Sequence, residues 1–416
     1  MNSLFKIAMV GLIPFTINAM GLKSMLNYTL EHNSNVKSQG YNISSKAQDY
    51  KSVSSLLKPT VDIGASYSKL DLDVADTQIG QSAVGFIKFG LNLYDGGKSK
   101  SIKRERRLRV KLAKLSKTDT IKQTLLQVVT LYFNIRTIED EIKAFRFKSK
   151  ALQRDYKSTK QRYNLQMITY DEVLKIKSEL EDNKYQIEEL KYQREEAYRN
   201  LSLLVGKKIK HIGHAKFATI KHLHYTPSST IKALQTNVDI LNESIKQVEA
   251  NKKPKVRLED TLSVYGYNDY DRTRLRNLPH TQNKISLTMT MNLYDTSTKA
   301  KKRSIIFAKR KAREQLKYNS EKERMLYDLA RKKLRTQKVK IASARSALNM
   351  AKRVYKSAKI KYDNGMIDII TYLDALSKKT LNQALYYKAL NDYEIAKANY
   401  YFVSGDNYRK VISHIR

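Results

Sequence analysis

The stretch "DGGKS" at residues 95–99 sets two glycines, a lysine and a serine between an alternating run and a long helical pattern. A phosphate-cradling loop would sit in such a place, with backbone N–H groups facing the anion and the lysine reaching it. That loop needs an opening glycine at position 92, which is Asn, and a second copy of the junction reads Asp-Thr-Ser-Thr-Lys at 295–299. The nucleotide fingerprint is missing. His211, His214, His222 and His224 crowd one segment, and imidazoles can ligate metals, but their spacing matches no known cage. Glu139-Asp140-Glu141 and Glu188-Glu189 pair carboxylates, yet both groups lie in helical patterns with Lys nearby and read as helix-face charge pairs. The chain has no Cys, which excludes thiolate metal sites, a Cys nucleophile, a disulfide framework and a lipidated Cys. No nucleophile elbow or zinc-protease helix is found. These residues point to a protein that is not an enzyme and needs no cofactor or metal.

The elements that carry these residues are long and regular. Among 416 residues there are only 14 Gly and 5 Pro, which favours long elements over loops. Residues 1–21 read as a signal peptide, with an apolar run Ile7–Ala19 and a cleavage site at Ile17-Asn18-Ala19. No later run approaches the length of a membrane helix. The net charge is +39. Such a balance suits nucleic acid or another anionic partner, but the cations are spread over all the helical stretches. Behind an export signal they read as solvated helix faces.

The chain repeats itself. "KPTVDIGASYSKLDL" (58–72) has a counterpart in "KPKVRLEDTLSVYGY" (253–267), and Asn-Leu-Tyr-Asp follows each, at 92–95 and 292–295. "RYNLQMITYDEVL" (162–174) matches "KYDNGMIDIITYL" (361–373), and each half closes on a Gly, at "NLSLLVG" and "NYYFVSG". Four anchors in one order define repeats at 22–206 and 228–405, a basic linker at 207–227 and a tail at 406–416.

Within each half the period switches. Val61, Ile63, Ala65 and Tyr67 alternate with polar residues, as do Ile87, Phe89, Leu91 and Leu93. Ile285, Leu287, Met289, Met291 and Leu293 do the same in the second half. Val256, Leu258, Leu262 and Val264 alternate less cleanly, with Asp260 on their apolar side. Period two predicts strands with one oily and one polar face, one hairpin per half, with loops near 73–82 and 268–282. After each hairpin the spacing becomes helical, as in Ile121, Leu125, Val128, Tyr132 and Ile135, and sustained 3,4 spacing means coiled-coil packing. The long legs, 97–165 and 296–364, span ~100 Å each, but the return legs span only ~60 Å. Segments 22–57 and 228–252 are predicted to be the helices that make up the difference. The predicted fold class is mixed and mainly α, with four β-strands.

Four strands cannot close on themselves, and open edges are not tolerated in lipid. If the oily faces meet lipid, three chains pooling twelve strands is the natural closure. A sheet packed on the helices is the soluble alternative.

The order of these elements resembles the outer-membrane efflux protein family, the TolC-like channels. The matching features are "LKSMLNYTLEHNSNV" (22–36), Lys-Pro before the first strand of each half, "LYD" at each strand-to-helix junction, the two segments around 162–174 and 361–373, and the closing "LSLLVG" and "YFVSG". The resemblance implies a homotrimer: a 12-strand β-barrel in outer-membrane lipid, continued by a 12-helix α-barrel across the periplasm. It implies a passive exit duct for tripartite efflux or type I secretion. The implied partners are a periplasmic membrane-fusion (adaptor) protein and an inner-membrane transporter of RND, ABC or MFS type, with no nucleic acid. The competing readings are a soluble exported coiled-coil adaptor and a basic nucleic-acid-binding coiled coil.

The resemblance also distributes roles. Ile87, Phe89, Leu91, Leu93, Ile285, Leu287, Met289 and Met291 would face lipid, with Tyr94 and Tyr294 at the membrane-water interface. Gln166, Met167, Ile168 and Thr169, with Gly365, Met366, Ile367 and Asp368, form turns whose apolar residues suit either adaptor contact or packing of neighbouring tips. Asp374 would stand at the periplasmic entrance. Thr371 occupies the place of a second acidic residue there, so the ring would hold three carboxylates rather than six.

Overall fold

The structure is a computed structural model of the chain. It describes residues 20–53, 58–70, 79–220, 224–268, 270, 272–273, 275–405 and 407–416. Residues 1–19 of the expected signal segment, most of the first hairpin loop and His222 lie outside the described residues. The elements run α1 (Leu22–His32), α2 (Ser34–Val53), β1 (Thr60–Lys69), β2 (Gln81–Tyr94), α3 (Lys98–Asn164), α4 (Tyr170–Val205), α5 (Ser229–Ala250), β3 (Lys255–Asn268), β4 (Thr281–Thr290), α6 (Thr296–Asp363), α7 (Ile369–Val403) and α8 (Tyr408–Ser413). The long legs are helices of 67 and 68 residues. The chain forms two compact units. One comprises residues up to Lys37, Thr120–Ser228 and Glu323–Arg416; the other comprises Ser38–Asp119 and Ser229–Lys322. Each unit draws on both repeats.

The second unit holds one antiparallel sheet in the order β1-β2-β3-β4. The two hairpins join through β2 and β3, with Ile87 opposite Leu262 and Leu91 opposite Leu258. Register places Val61, Ile63, Ile87, Phe89, Leu258, Leu262, Ile285, Leu287 and Met289 on one face. Most of these side chains are exposed. The other face carries Asp62, Ser66, Lys88, Thr261, Ser263 and Lys284, and there Glu259 pairs with Lys88 at 3.0 Å and with Arg257 at 2.7 Å. Alternation in sequence has become a sheet with one apolar and one polar side. Asp260 stands on the apolar side, opposite Phe89 and Ile285.

Two strand ends correct the sequence reading. β4 stops at Thr290, so Met291 and Leu293 lie beyond the ladder rather than on its apolar face, and both are exposed. The partner strand β3 begins at Lys255, which pairs with Thr290, so no β3 residue lies opposite the next positions of β4. At the end of β2 the register shifts between Asn92 and Tyr94, so that Leu93 has no partner and Tyr94 stands opposite Val256. A bulge of this kind re-aims the following side chain, and Tyr94 takes the side that strict alternation assigns to Leu93.

The repeated Asn-Leu-Tyr-Asp has a local cause. Asp95 accepts hydrogen bonds from the N–H groups of Gly97 (3.0 Å) and Ser99 (2.6 Å), and Asp295 accepts from the N–H of Thr298 (3.1 Å). Each aspartate satisfies donors that the start of a helix leaves free. Burial opposes ionisation of Asp95, but the bonds from Ser99, Gly97 and Lys98 hold its carboxyl below the usual range. The bonds from Thr298 and Ser297 hold Asp295 at about 2.

In the first unit the seam Ile121, Leu125, Val128, Tyr132 and Ile135 is buried against Leu22, Met25, Leu26, Leu201 and Val205. The linker is irregular, as expected, but it is part of this core. Ile209, Ile212 and Phe217 are buried, and Tyr132 donates to the Gly213 carbonyl at 2.7 Å. Phe217 is held by a buried ion pair: its N–H donates to Glu394 and its carbonyl accepts from Lys397, while Lys397 and Glu394 lie 2.7 Å apart. The tail contains α8 and pairs with the linker through Lys216 and Arg416. A smaller cluster of Tyr225, Tyr327 and Tyr400 packs around Ala330.

Candidate functional site

The two helix-to-helix turns share one backbone design. At the first, the N–H of Gln166 donates to the Tyr163 carbonyl (2.8 Å) and that of Met167 to the Arg162 carbonyl (2.9 Å). At the second, Gly365 donates to Tyr362 (3.0 Å) and Met366 to Lys361 (2.8 Å). Each is a Schellman ending, which requires a residue in the left-handed region. Gly365 takes it with φ 71°, and Gln166 with φ 57° as the one non-glycine of positive φ among the described residues.

Each turn leaves a Met exposed: Met167 is 65% exposed and Met366 71%. Ile168 and Ile367 are half-buried, and Ile367 packs on a cluster of Leu152, Ile176, Tyr372 and Leu376. The Met-Ile pairs therefore divide, with Ile turned toward the helices and Met toward solvent. Asp368 caps α7 by accepting from the Thr371 N–H at 2.9 Å, whereas Thr169 makes no side-chain cap at α4. The bonds from Thr371 hold the Asp368 carboxyl below its usual range. Lys175 pairs with Asp171, and that hydrogen bond, with the nearby carboxylates of Asp368 and Glu172, holds its ammonium above the usual range.

Asp374 lies one turn into α7, more than half exposed, with the Lys378 ammonium 2.7 Å away. Thr371 is exposed. The structure thus adds a neighbouring cation to the single acid that the sequence shows at this position.

Beneath the turns lies a polar network that sequence reasoning missed. Tyr372 donates to Asp155, which also faces Lys359 at 3.4 Å. Tyr372 stacks on Tyr362 with ring centroids 5.0 Å apart, and the Tyr362 hydroxyl donates to Glu172 at 3.3 Å. Burial and the bond to Asp155 raise the Tyr372 phenol far above its ordinary value, and burial raises Tyr362. Burial disfavours the Lys359 ammonium, but Asp155 and Asp363 hold its pKa up. A signal was present: Lys148, Leu152, Asp155 and Thr159 continue the 4,3,4 spacing of the α3 seam and are all buried. Polar residues at seam positions must be paired, since an unpaired buried polar group is costly.

The lipid-facing candidates Ile87, Phe89, Leu91, Ile285, Leu287 and Met289 share the apolar face of the sheet. Tyr94 and Tyr294 are exposed, the latter beyond the end of β4. Among the described residues His211, His214 and His224 form no ligand set, and His214 faces the Arg136 guanidinium at 2.8 Å. Among the described residues no group of three or more His, Cys, Asp or Glu is placed to hold a metal ion. No described helix is long and apolar enough to cross a membrane.

Comparison with known proteins agrees with this architecture. Residues 25–207 match the family model of the outer membrane efflux proteins. No curated protein matches the chain. Among solved structures, the CmeC outer membrane channel of Campylobacter jejuni has TM-score 0.81 at 14% identity, covering 94% of this chain and 89% of that one. The outer membrane protein VceC of Vibrio cholerae has TM-score 0.81 at 11% identity, covering 93% and 96%. A membrane protein from Pseudomonas aeruginosa has TM-score 0.81 at 15% identity, covering 93% and 90%. Residues 25–207 are thus similar to the outer membrane efflux proteins, and the chain as a whole shares the fold of these solved membrane proteins.

Proposed function

We propose that three copies of the chain form one exit duct, which receives cargo from an inner-membrane transporter through a periplasmic adaptor. The observation that carries this reading is the four-stranded sheet. One face is apolar and exposed, and β1 and β4 each have a partner on one side only among the described residues. Such a sheet is stable in lipid only when its edges are paired and a barrel closes. Twelve strands leave a lumen, whereas eight would be filled by side chains. The polar face, with Lys88, Arg257 and Glu259, then lines the water-filled side.

Met167 and Met366, with the exposed Leu165 and Ile370 beside them, supply an adaptor with apolar contacts, and flexible methionine suits that use. At the entrance each Asp374 is offset by a Lys378, so three such pairs carry no net charge and filter cations less than three bare carboxylates would. Tripartite efflux and type I secretion both fit a duct of this kind, with a transporter of RND, ABC or MFS class.

Three measurements test the reading. Wild-type protein should fractionate with outer membrane as an oligomer that heat dissociates; a water-soluble monomer would overturn it. Leu287→Arg should cost about 2–4 kcal/mol of barrel stability if Leu287 faces mid-membrane lipid, and unchanged membrane assembly would refute that placement. Replacing Met366 and Ile367 by Ser should abolish efflux while the oligomer persists, and normal efflux would remove the docking role.

A further inference from the structure

The C-terminal end of α4, a stretch of α3 and the start of the linker line a half-open pocket of about 580 Å³ that the duct reading does not use; Lys208, Lys210 and His211 stand at its exposed side. Its composition is uneven. Arg194, Arg199, Lys208 and Lys210 line it together with His211, against two carboxylates, Glu139 and Glu195. Both carboxylates are engaged. Glu195 pairs with Arg199 at 2.9 Å, and Glu139 accepts from the Tyr198 hydroxyl at 2.8 Å with Arg136 at 3.9 Å. Arg194, Lys208 and Lys210 have no ion-pair partner among the described residues.

The linker holds these cations in place. Ile209 is buried in the main core, and its N–H donates to the Ser202 hydroxyl at 2.9 Å, while that hydroxyl donates to the Tyr198 carbonyl at 2.7 Å. With Ile209 anchored between them, Lys208 and Lys210 both line the cavity. Arg194 is half-buried beside them. Cations that outnumber the carboxylates beside them repel one another, and an anion relieves that repulsion.

We infer that this cavity is a binding site for a compact polyanion carrying clustered phosphate or carboxylate groups. Its volume lies within the ~300–1,000 Å³ of small-molecule sites, and its charged lining selects a polar ligand. Arg194 supplies the planar fork suited to two anionic oxygens, and the lysines supply mobile point charges.

The test uses the full chain as its detergent-solubilised oligomer at low ionic strength, titrated calorimetrically with inorganic tripolyphosphate and, separately, with citrate. At least one probe should bind saturably, one per chain, and weaken as salt is raised. Which probe binds more tightly distinguishes phosphate from carboxylate recognition. Lys208→Glu alone should weaken binding at least tenfold, and the triple variant Arg194→Ala, Lys208→Ala, Lys210→Ala should abolish it. A control that removes three exposed cations of α6, Arg335→Ala, Lys338→Ala and Lys340→Ala, should bind as the wild type does. Binding of neither probe, equal binding by the cavity variants, or equal loss in the control would each overturn the site.

Discussion

At the scale of single residues, the buried polar pairs decide most. Lys397 and Glu394 are almost wholly enclosed and clasp both backbone groups of Phe217. Removing one partner leaves a charge stranded in low dielectric. Glu394→Ala should therefore cost about 3–5 kcal/mol, read as a lower guanidinium midpoint by circular dichroism in detergent. The tyrosines give a pH signature. Burial pushes the Tyr132 phenol up to about 12, with Arg136 working against the shift and Glu139 adding to it, from an ordinary value of 10.0. An acid whose folded pKa is raised stabilises the fold fully below its unfolded pKa and loses that contribution as pH rises through the folded one. Tyr132 should thus favour folding up to about pH 10 and cease to do so between there and about pH 12. Phenolate absorbance should show Tyr132 resisting ionisation until the helices melt, and Tyr132→Phe should remove its share of that resistance. None of these partners could be read from the sequence, because Glu394 and Phe217, or Asp155 and Tyr372, are far apart along the chain. What could be read was that Tyr132 occupies a seam position.

At the scale of elements, periodicity was a reliable guide wherever packing sets it. The boundaries of α3 and α6 fall within one residue of those expected, because no Gly or Pro interrupts them and a capping Asp starts each. β4 was expected to be longer, because Met291 and Leu293 continue its alternation. Strand length, however, depends on a partner that local pattern cannot show. α8 was missed in a tail whose six helical residues are too few for a periodic signal. The turns offer a matched pair of tests. Gly365 adopts the left-handed conformation without strain and has open space around it, while Gln166 adopts it with a side chain. Gly365→Ala should cost about 1 kcal/mol and Gln166→Gly should gain up to about 1 kcal/mol. Thermal melting of the two variants should move in opposite directions; movement in the same direction would show that side-chain contacts, not backbone conformation, set the energetics there.

At the scale of the whole molecule, the internal duplication and its two hairpins were legible, because a repeated order of motifs survives wide sequence divergence; the β2–β3 pairing that joins them was not. Identities of 11–15% to structures with TM-scores near 0.8 make the same point. The compact units were not legible, since each assembles segments of both repeats. The excess of 79 Lys and Arg over 40 Asp and Glu acts at this scale too. Like-charged copies repel over about 10 Å at 0.1 M ionic strength and farther in dilute salt. The oligomer should therefore dissociate at a lower temperature in dilute buffer than at physiological salt, a shift measurable on semi-native gels.

The turns also have an arithmetic. Both carry an exposed methionine after a positive-φ residue, yet Asp368 caps α7 while Thr169 leaves α4 uncapped by a side chain. In a threefold ring, a docking protein that senses only the methionine meets six equivalent seats, whereas one that senses the aspartate meets three. Counting the subunits retained per ring would reveal which feature is recognised.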